Sequence, residues 1–272
     1  MSWLGKVFGG AFGFMLGGPL GAILGTSLGH QFDRGVEGVD DPEFQLGNQR
    51  RVQMAFFTAT FSVMGHIAKA DGKVSREEIA LANAVMKNME LSDQLRQTAQ
   101  RLFNEGKSPS FPLDETLNQF RAECHRRTTL IRMFIEIQLQ AAFADGRMDS
   151  SEENMLLHIC DKLRFSQFEY ESLKAILQAQ QRFTDSGQSS GRSRRTGTVR
   201  QPDIQDAYAV LGLTPNATDK EIKSSYRRLM SQHHPDKLVA KGLPEEMLKL
   251  ATEKTQKIRK AYELVRDKRG FK

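Results

Sequence analysis

The chain has only two cysteines in 272 residues, Cys124 and Cys160, and they form no Cys-x-x-Cys pair. Their separation argues against a disulfide scaffold and suits a reducing compartment. Zinc-ligand spacing is missing, and so is any RNA-binding signature. No phosphate-cradling glycine loop is present, and no Ser/His/Asp or Cys/His grouping stands out. These patterns single out no catalytic centre and no cofactor, and none is expected. Strand-like alternation is also missing between Asn48 and Phe183, where apolar residues recur at helical spacing, so the fold class is all-α.

Charge is missing over one stretch. Val7 to Gly29 is 23 residues without a charged side chain, and eight of them are glycine. As a helix it would span roughly 34 Å, enough for a bilayer core. Gly9, Gly13, Gly17, Gly21 and Gly25 belong to a run of glycines at every fourth residue. A stripe of that kind lets two helices approach closely in lipid. Phe8, Phe12, Leu16, Leu20, Ile23 and Leu24 suit the lipid face. The expectation for residues 1–34 is therefore a single transmembrane helix that also makes a homodimer. A hairpin turning at Gly17-Gly18-Pro19 is the alternative. A signal peptide fits poorly, because no A-x-A cleavage site follows. Lys6 precedes the span and Arg34, Arg50 and Arg51 follow it. The positive-inside bias then puts the N-terminus in the periplasm and the C-terminal bulk in the cytoplasm, with Trp3 at the outer interface.

Elsewhere the chain is basic, with a net charge of +6. The excess concentrates between Thr184 and Pro202 and in the region after it. Residues 184–202 contain Ser, Gly and four arginines, Arg192, Arg194, Arg195 and Arg200, but almost no large apolar residue. This reads as a flexible basic linker. A nucleic-acid adaptor would rest on those arginines alone, so nucleic acid is not expected. An acidic protein partner fits the charge better.

The middle, residues 48–183, contains a duplication. Ile67 to Ile79 resembles Gln140 to Met155, with Asp-Gly pairs at 71 and 145. Each pair closes an apolar helix, Phe56 to Ala68 and Leu130 to Ala144, and Gly72 and Gly146 suit a helix C-cap. Capping boxes are expected at Ser75-x-x-Glu78 and Ser150-x-x-Glu153. An EF-hand register fails twice. With the Asp at loop position 5, positions 1 and 3 fall on Ile67 and Lys69, then on Ala141 and Phe143, none of which offers calcium a side-chain oxygen. The stretch resembles the TerB-like domain family. The resemblance implies that acidic residues near the turns are metal or partner sites, here Asp71, Glu77, Glu78, Asp145, Asp149, Glu152 and Glu153. Capping accounts for most of them. No metal site is expected, and Asp71 and Asp145 are the candidates if one exists. His66, His125 and His158 are read as ordinary helix residues.

Residues 203–272 hold the sharpest motif. Thr218-x-x-Glu221 is a capping box opening a helix with Ile222, Tyr226, Leu229 and Met230 on its apolar face. Pro235 stops that helix near His234. A short helix is expected over Asp206 to Leu211, and a third from Pro244 to about Asp267 with Leu248, Ala251, Ile258, Ala261, Tyr262 and Val265 buried. A loop over Leu238 to Leu243 separates the second and third helices, which form an antiparallel hairpin. Two helices flanking His234-Pro235-Asp236 resemble the J-domain family. That resemblance implies a DnaK-type chaperone as partner, and a regulator of that partner's ATPase rather than an enzyme. His234, Pro235 and Asp236 would be the signalling tip, and Lys220, Lys223, Arg227 and Arg228 the docking face. The whole arrangement resembles the membrane-anchored bacterial DnaJ-like co-chaperones, which stimulate DnaK at the cytoplasmic face of the inner membrane. The Gly/Phe-rich region and cysteine repeat of the larger DnaJ class are missing. The alternative is a metal- or ion-responsive envelope-stress sensor, with the middle domain sensing and the J domain as output.

Overall fold

The structure, a computed structural model, describes residues 18–23, 43–70, 86–87, 91–125, 127–143, 148–188 and 203–271. Every regular element among them is helical. The chain divides into two compact units, residues 1–166 with 239–249, and residues 167–238 with 250–272.

The first unit is built around α1, Glu43–Ile67. Residues 55–65 of this helix are buried without a break. A helix apolar on all sides belongs at the centre of a domain, and Val52, Phe56, Ala59, Phe61 and Val63 are fully enclosed. Around it pack α2 (Asp93–Gly106), α3 (Leu113–Cys124), α4 (Thr128–Ala142) and α5 (Ser150–Lys162). Phe56, Phe120 and Phe134, from three of these helices, meet with ring centroids 4.7–6.4 Å apart. The buried polar residues of α1 are small, and two of their backbone carbonyls accept side-chain donors. Ser62 Oγ donates to Thr58 O at 2.8 Å, and Gln138 Nε2 of α4 donates to Thr60 O at 3.0 Å.

The α1–α2 crossing depends on two glycines. A Cβ on Gly65 would lie 2.0 Å from Phe103 O, and one on Gly106 would lie 1.7 Å from Ser62 O. Each helix thus lays bare backbone against the other. Both cysteines are buried free thiols, and burial pushes the Cys124 thiol up to about 12, which makes it inert.

Two expected helices of the duplication are found as Glu43–Ile67 and Thr128–Ala142. The first begins thirteen residues earlier than expected. The second capping box is shifted by one residue. Asp149, not Ser150, is the N-cap: its carboxylate accepts from Ser151 N at 2.6 Å, and Asp149 N donates to Glu152 Oε2 at 2.9 Å. Aspartate caps as well as serine does, and the reciprocal partner must stand three residues on, which selects Glu152. The first Asp-Gly turn, its capping box and the candidates Asp71, Glu77, Glu78 and Asp145 lie outside the described residues. Among the described residues no cluster of three metal-ligating side chains occurs.

Of the expected membrane span only residues 18–23 are described, as a six-residue helix with Leu20 and Ile23 buried. Leu20 N donates to Gln119 Oε1 of α3 at 2.7 Å. Among the described residues no helix is long and apolar enough to cross a membrane. Of the striped glycines, Gly21 falls in this helix, and Gly9, Gly13, Gly17 and Gly25 lie outside the described residues.

The second unit comprises α6 (Gln167–Gln188), α7 (Ile204–Val210), α8 (Asp219–His233) and most of α10 (Leu248–Arg269). The short helix α9 (Pro235–Ala240) and a 3₁₀ turn (Glu245–Met247) connect the last two. Tyr208, Val210, Leu211, Ile222, Leu229, Ile258, Ala261 and Val265 form its core. Arg269 in the last turn of α10 reaches Asp219 Oδ1 at 2.9 Å and Ala217 O at 2.6 Å, at the start of α8, so the two helices are antiparallel. Helix α6 contributes Ala179 and Phe183 to the same core, and Arg182 Nε pairs with Asp206 Oδ1 at 3.1 Å. This helix runs five residues into the stretch expected as linker, and its Ala179 and Phe183 share a core with Ala207, Tyr208 and Val210 of α7. The linker residues 189–202 lie outside the described residues.

Replacing Gly106 with Ala should destabilise the first unit by about 3 kcal/mol, the upper end for overpacking a core. Urea denaturation would read this as a lower midpoint at unchanged slope. An unshifted midpoint would mean that α1 and α2 do not cross backbone to backbone.

Candidate functional site

Helix α8 is fixed at its start by the expected capping box. Glu221 N donates to Thr218 Oγ1 at 3.3 Å, and Thr218 N donates to Glu221 Oε2 at 2.7 Å. The Thr218 backbone and hydroxyl bonds hold the Glu221 carboxyl below its ordinary range. The buried face of α8 consists of Ile222, Ser225, Leu229 and His233, spaced three and four residues apart. Tyr226 and Met230, expected in the core, are half-buried at its rim, where Tyr226 stacks on Tyr262 at 4.1 Å. Ser225 takes the inward place because its hydroxyl donates to Leu211 O at 2.6 Å, which anchors the α7–α8 turn.

The far end of α8 is set by Pro235. His234 leaves the helical region (φ −63, ψ 123), as the residue before a proline is pushed to do. Pro235 then occupies the first position of α9, where its missing N–H costs nothing. Leu238 N donates to His234 O at 3.0 Å, and the Leu238 side chain is buried. Residues 238–240 are therefore helical rather than the expected loop, because proline is pre-set for a first helical turn. His234, Pro235 and Asp236 form an elbow between two helices. The imidazole is 46% exposed and the carboxylate 91%, with Nδ1 and Oδ2 4.0 Å apart. That is too far for a hydrogen bond, so each faces outward, available to another molecule.

Lys220, Lys223 and Arg227 lie at i, i+3 and i+7 along one stripe of α8, Lys220 and Arg227 exposed and Lys223 half-buried. Exposed Arg228 flanks it, with one guanidinium nitrogen 3.2 Å from Ser225 Oγ. Lys223 Nζ sits over the Phe271 ring at 5.3 Å, and Arg227 Nε donates to Lys223 O at 3.2 Å. Of the nearby carboxylates, Asp219 is engaged by Arg269 and Glu221 by its cap. The stripe thus keeps its positive sign up to the elbow. Sequence reasoning missed one member: Lys237 Nζ donates to Ser231 Oγ at 2.7 Å, carrying the charge from α8 onto the tip. The i+4 step from Arg227 to Ser231, followed by a lysine after Asp236, was the available signal. Such a surface offers no nucleophile–base pair. It can receive an acidic protein surface and present an imidazole and a carboxylate to it.

The three histidines sit elsewhere. His66 Nδ1 lies 3.1 Å from Gly106 O, and His125 forms the C-cap of α3. His158 Nε2 contacts Asp114 Oδ1 at 2.7 Å, with Lys162 also bonded to Asp114. Lys162 first, and His158 second, hold that carboxyl below its ordinary range.

Three family models match successive parts of the chain: Co-chaperone DjlA transmembrane domain over residues 1–49, Tellurite resistance protein TerB over 57–175, and DnaJ domain over 206–270. The chain is similar to Co-chaperone protein DjlA of Coxiella burnetii, 46% identical with both chains fully covered. It is also similar to the protein of that name from Photorhabdus laumondii, 46% identical over 90% of each chain, and from Escherichia coli O157:H7, 42% identical over 90% of each. No solved structure matches. With a J-domain elbow, a TerB-type helical middle and a transmembrane-type N-terminus in that order, the chain belongs to the DjlA family of co-chaperones.

Proposed function

We propose that this co-chaperone stimulates the ATPase of a DnaK-type chaperone through the elbow at His234, Pro235 and Asp236, with Lys220, Lys223, Arg227 and Arg228 as the docking face. The observation that supports it is the continuity of the exposed basic stripe with an outward-facing imidazole and carboxylate. Charge on such a rim raises the encounter rate more than the final affinity. Neither tip side chain holds the fold together, so loss of signalling should separate from loss of structure. His234→Gln or Asp236→Asn should return chaperone ATPase to its basal rate while leaving the circular dichroism unchanged. Normal stimulation by either variant would overturn the reading.

We also propose that residues 1–34 anchor the chain in the inner membrane, with the N-terminus periplasmic and the C-terminal bulk at the cytoplasmic face, and that the glycine stripe makes the anchor dimeric. The support is the stripe itself, since glycine weakens a soluble helix by about 1 kcal/mol per residue relative to alanine, a loss that close packing in lipid offsets. Gly17→Leu with Gly21→Leu raises hydrophobicity, so insertion should persist while self-association falls in a membrane two-hybrid reporter. Undiminished association would remove the stripe from the interface.

A further inference from the structure

The connection between α8 and α10 is fourteen residues long, 234–247, whereas a helical hairpin needs only about 2–5. Its second half belongs to the first unit, as Val239–Lys249. Gln49 Nε2 of α1 donates to Val239 O at 3.2 Å. Lys241 Nζ donates to Thr129 Oγ1, in the first turn of α4, at 2.7 Å. Between these bonds lies Gly242 at φ +100, where a Cβ would stand 2.7 Å from Val52 Cγ1 and 3.2 Å from Arg127 NH1. Only glycine fits both the backbone and the space. Leu243 and Met247 follow, each fully buried. This is a specific seat with two hydrogen bonds, two apolar anchors and a glycine-only approach.

The seat begins three residues after Asp236, on the same short helix. Pro235 and Asp236 occupy the first turn of α9, and Val239 and Ala240 its last. Holding one end of a six-residue helix limits the orientations open to the other. The seat also carries a fault. Arg127 NH1 is buried beside Gly242 and has no hydrogen-bond partner among the described residues. A guanidinium N–H taken out of water without an acceptor opposes docking. Release returns it to solvent, so the seated state is opposed from within.

We propose that Val239–Lys249 is a strap by which the middle helices restrain the His-Pro-Asp tip, and that its release raises the tip's capacity to engage the chaperone. This rests on the reading of the tip as the chaperone contact. A partner that needs α9 free binds only the released fraction, so its apparent affinity is lowered by that fraction.

The test uses the full chain in nanodiscs and follows chaperone ATPase against co-chaperone concentration. Lys241→Ala removes one bond of the seat and should lower the half-stimulating concentration about fivefold, the equilibrium weight of one net hydrogen bond. Gly242→Ala should act in the same direction, and Lys241→Ala keeps the test decisive if that variant fails to fold. Thr129→Cys with Lys241→Cys, joined by a short bismaleimide, should raise the half-stimulating concentration relative to either single cysteine treated alike. The native cysteines are buried and leave that reaction to the new pair. Unchanged or weaker stimulation by Lys241→Ala, or a linked form as active as its controls, would overturn the strap. His234→Gln is run beside them. If it stimulates normally the underlying reading fails; if it is silent while the strap variants change nothing, the strap alone fails.

Discussion

The site depends on one covalent constraint, the pyrrolidine ring of Pro235. Proline has no N–H to give to the carbonyl a turn back, and its ring drives the preceding residue out of helical conformation. Helix α8 must therefore end at His233, and His234 must be extended. Because the same ring is pre-set for a first helical turn, a second helix starts at once. An abrupt end and an immediate restart put His234 and Asp236 on an outward elbow. Without it the basic stripe of α8 would lead to a frayed terminus. With it the stripe leads to two oriented polar groups, and Lys237 bonded back to Ser231 carries the charge across the bend.

Much of this was legible in the sequence where one local rule acts alone. The Thr218–Glu221 box and the stop at Pro235 need only their own neighbours, and both stand where the spacing puts them. Where two local solutions compete, the sequence is ambiguous. Asp149 and Ser150 are both good caps, and both have a glutamate three residues on. The aspartate cap is the one adopted, one residue earlier than expected. Pro235 poses a similar choice, since proline both ends helices and begins them.

Features that depend on tertiary partners were not legible. Ser225 shares the face of Ile222 and Leu229 by spacing, but that a hydroxyl is tolerated there depends on Leu211 O, which accepts its proton. Helix α6 persists through Gln188, and its Ala179 and Phe183 join a core otherwise made by residues more than twenty positions later. Gly65 and Gly106 lie on helices far apart in sequence, and only their crossing explains why neither position carries a side chain. The glycine at 242 reads as a turn residue, yet its neighbours are Val52 and Arg127. The segment Val239–Lys249 thus belongs to the first unit, although it follows the tip in sequence.

If the α8 stripe and the elbow act as one electrostatic docking surface, as proposed, salt should separate encounter from grip. Exposed charges are screened beyond about 8 Å at physiological salt, while short contacts formed after docking are screened far less. The most direct test is stopped-flow association of the full chain with an ATP-bound DnaK-type chaperone over a series of ionic strengths. The association rate should fall steeply as salt rises, with dissociation changing little. Association insensitive to salt, with the effect confined to dissociation, would contradict it.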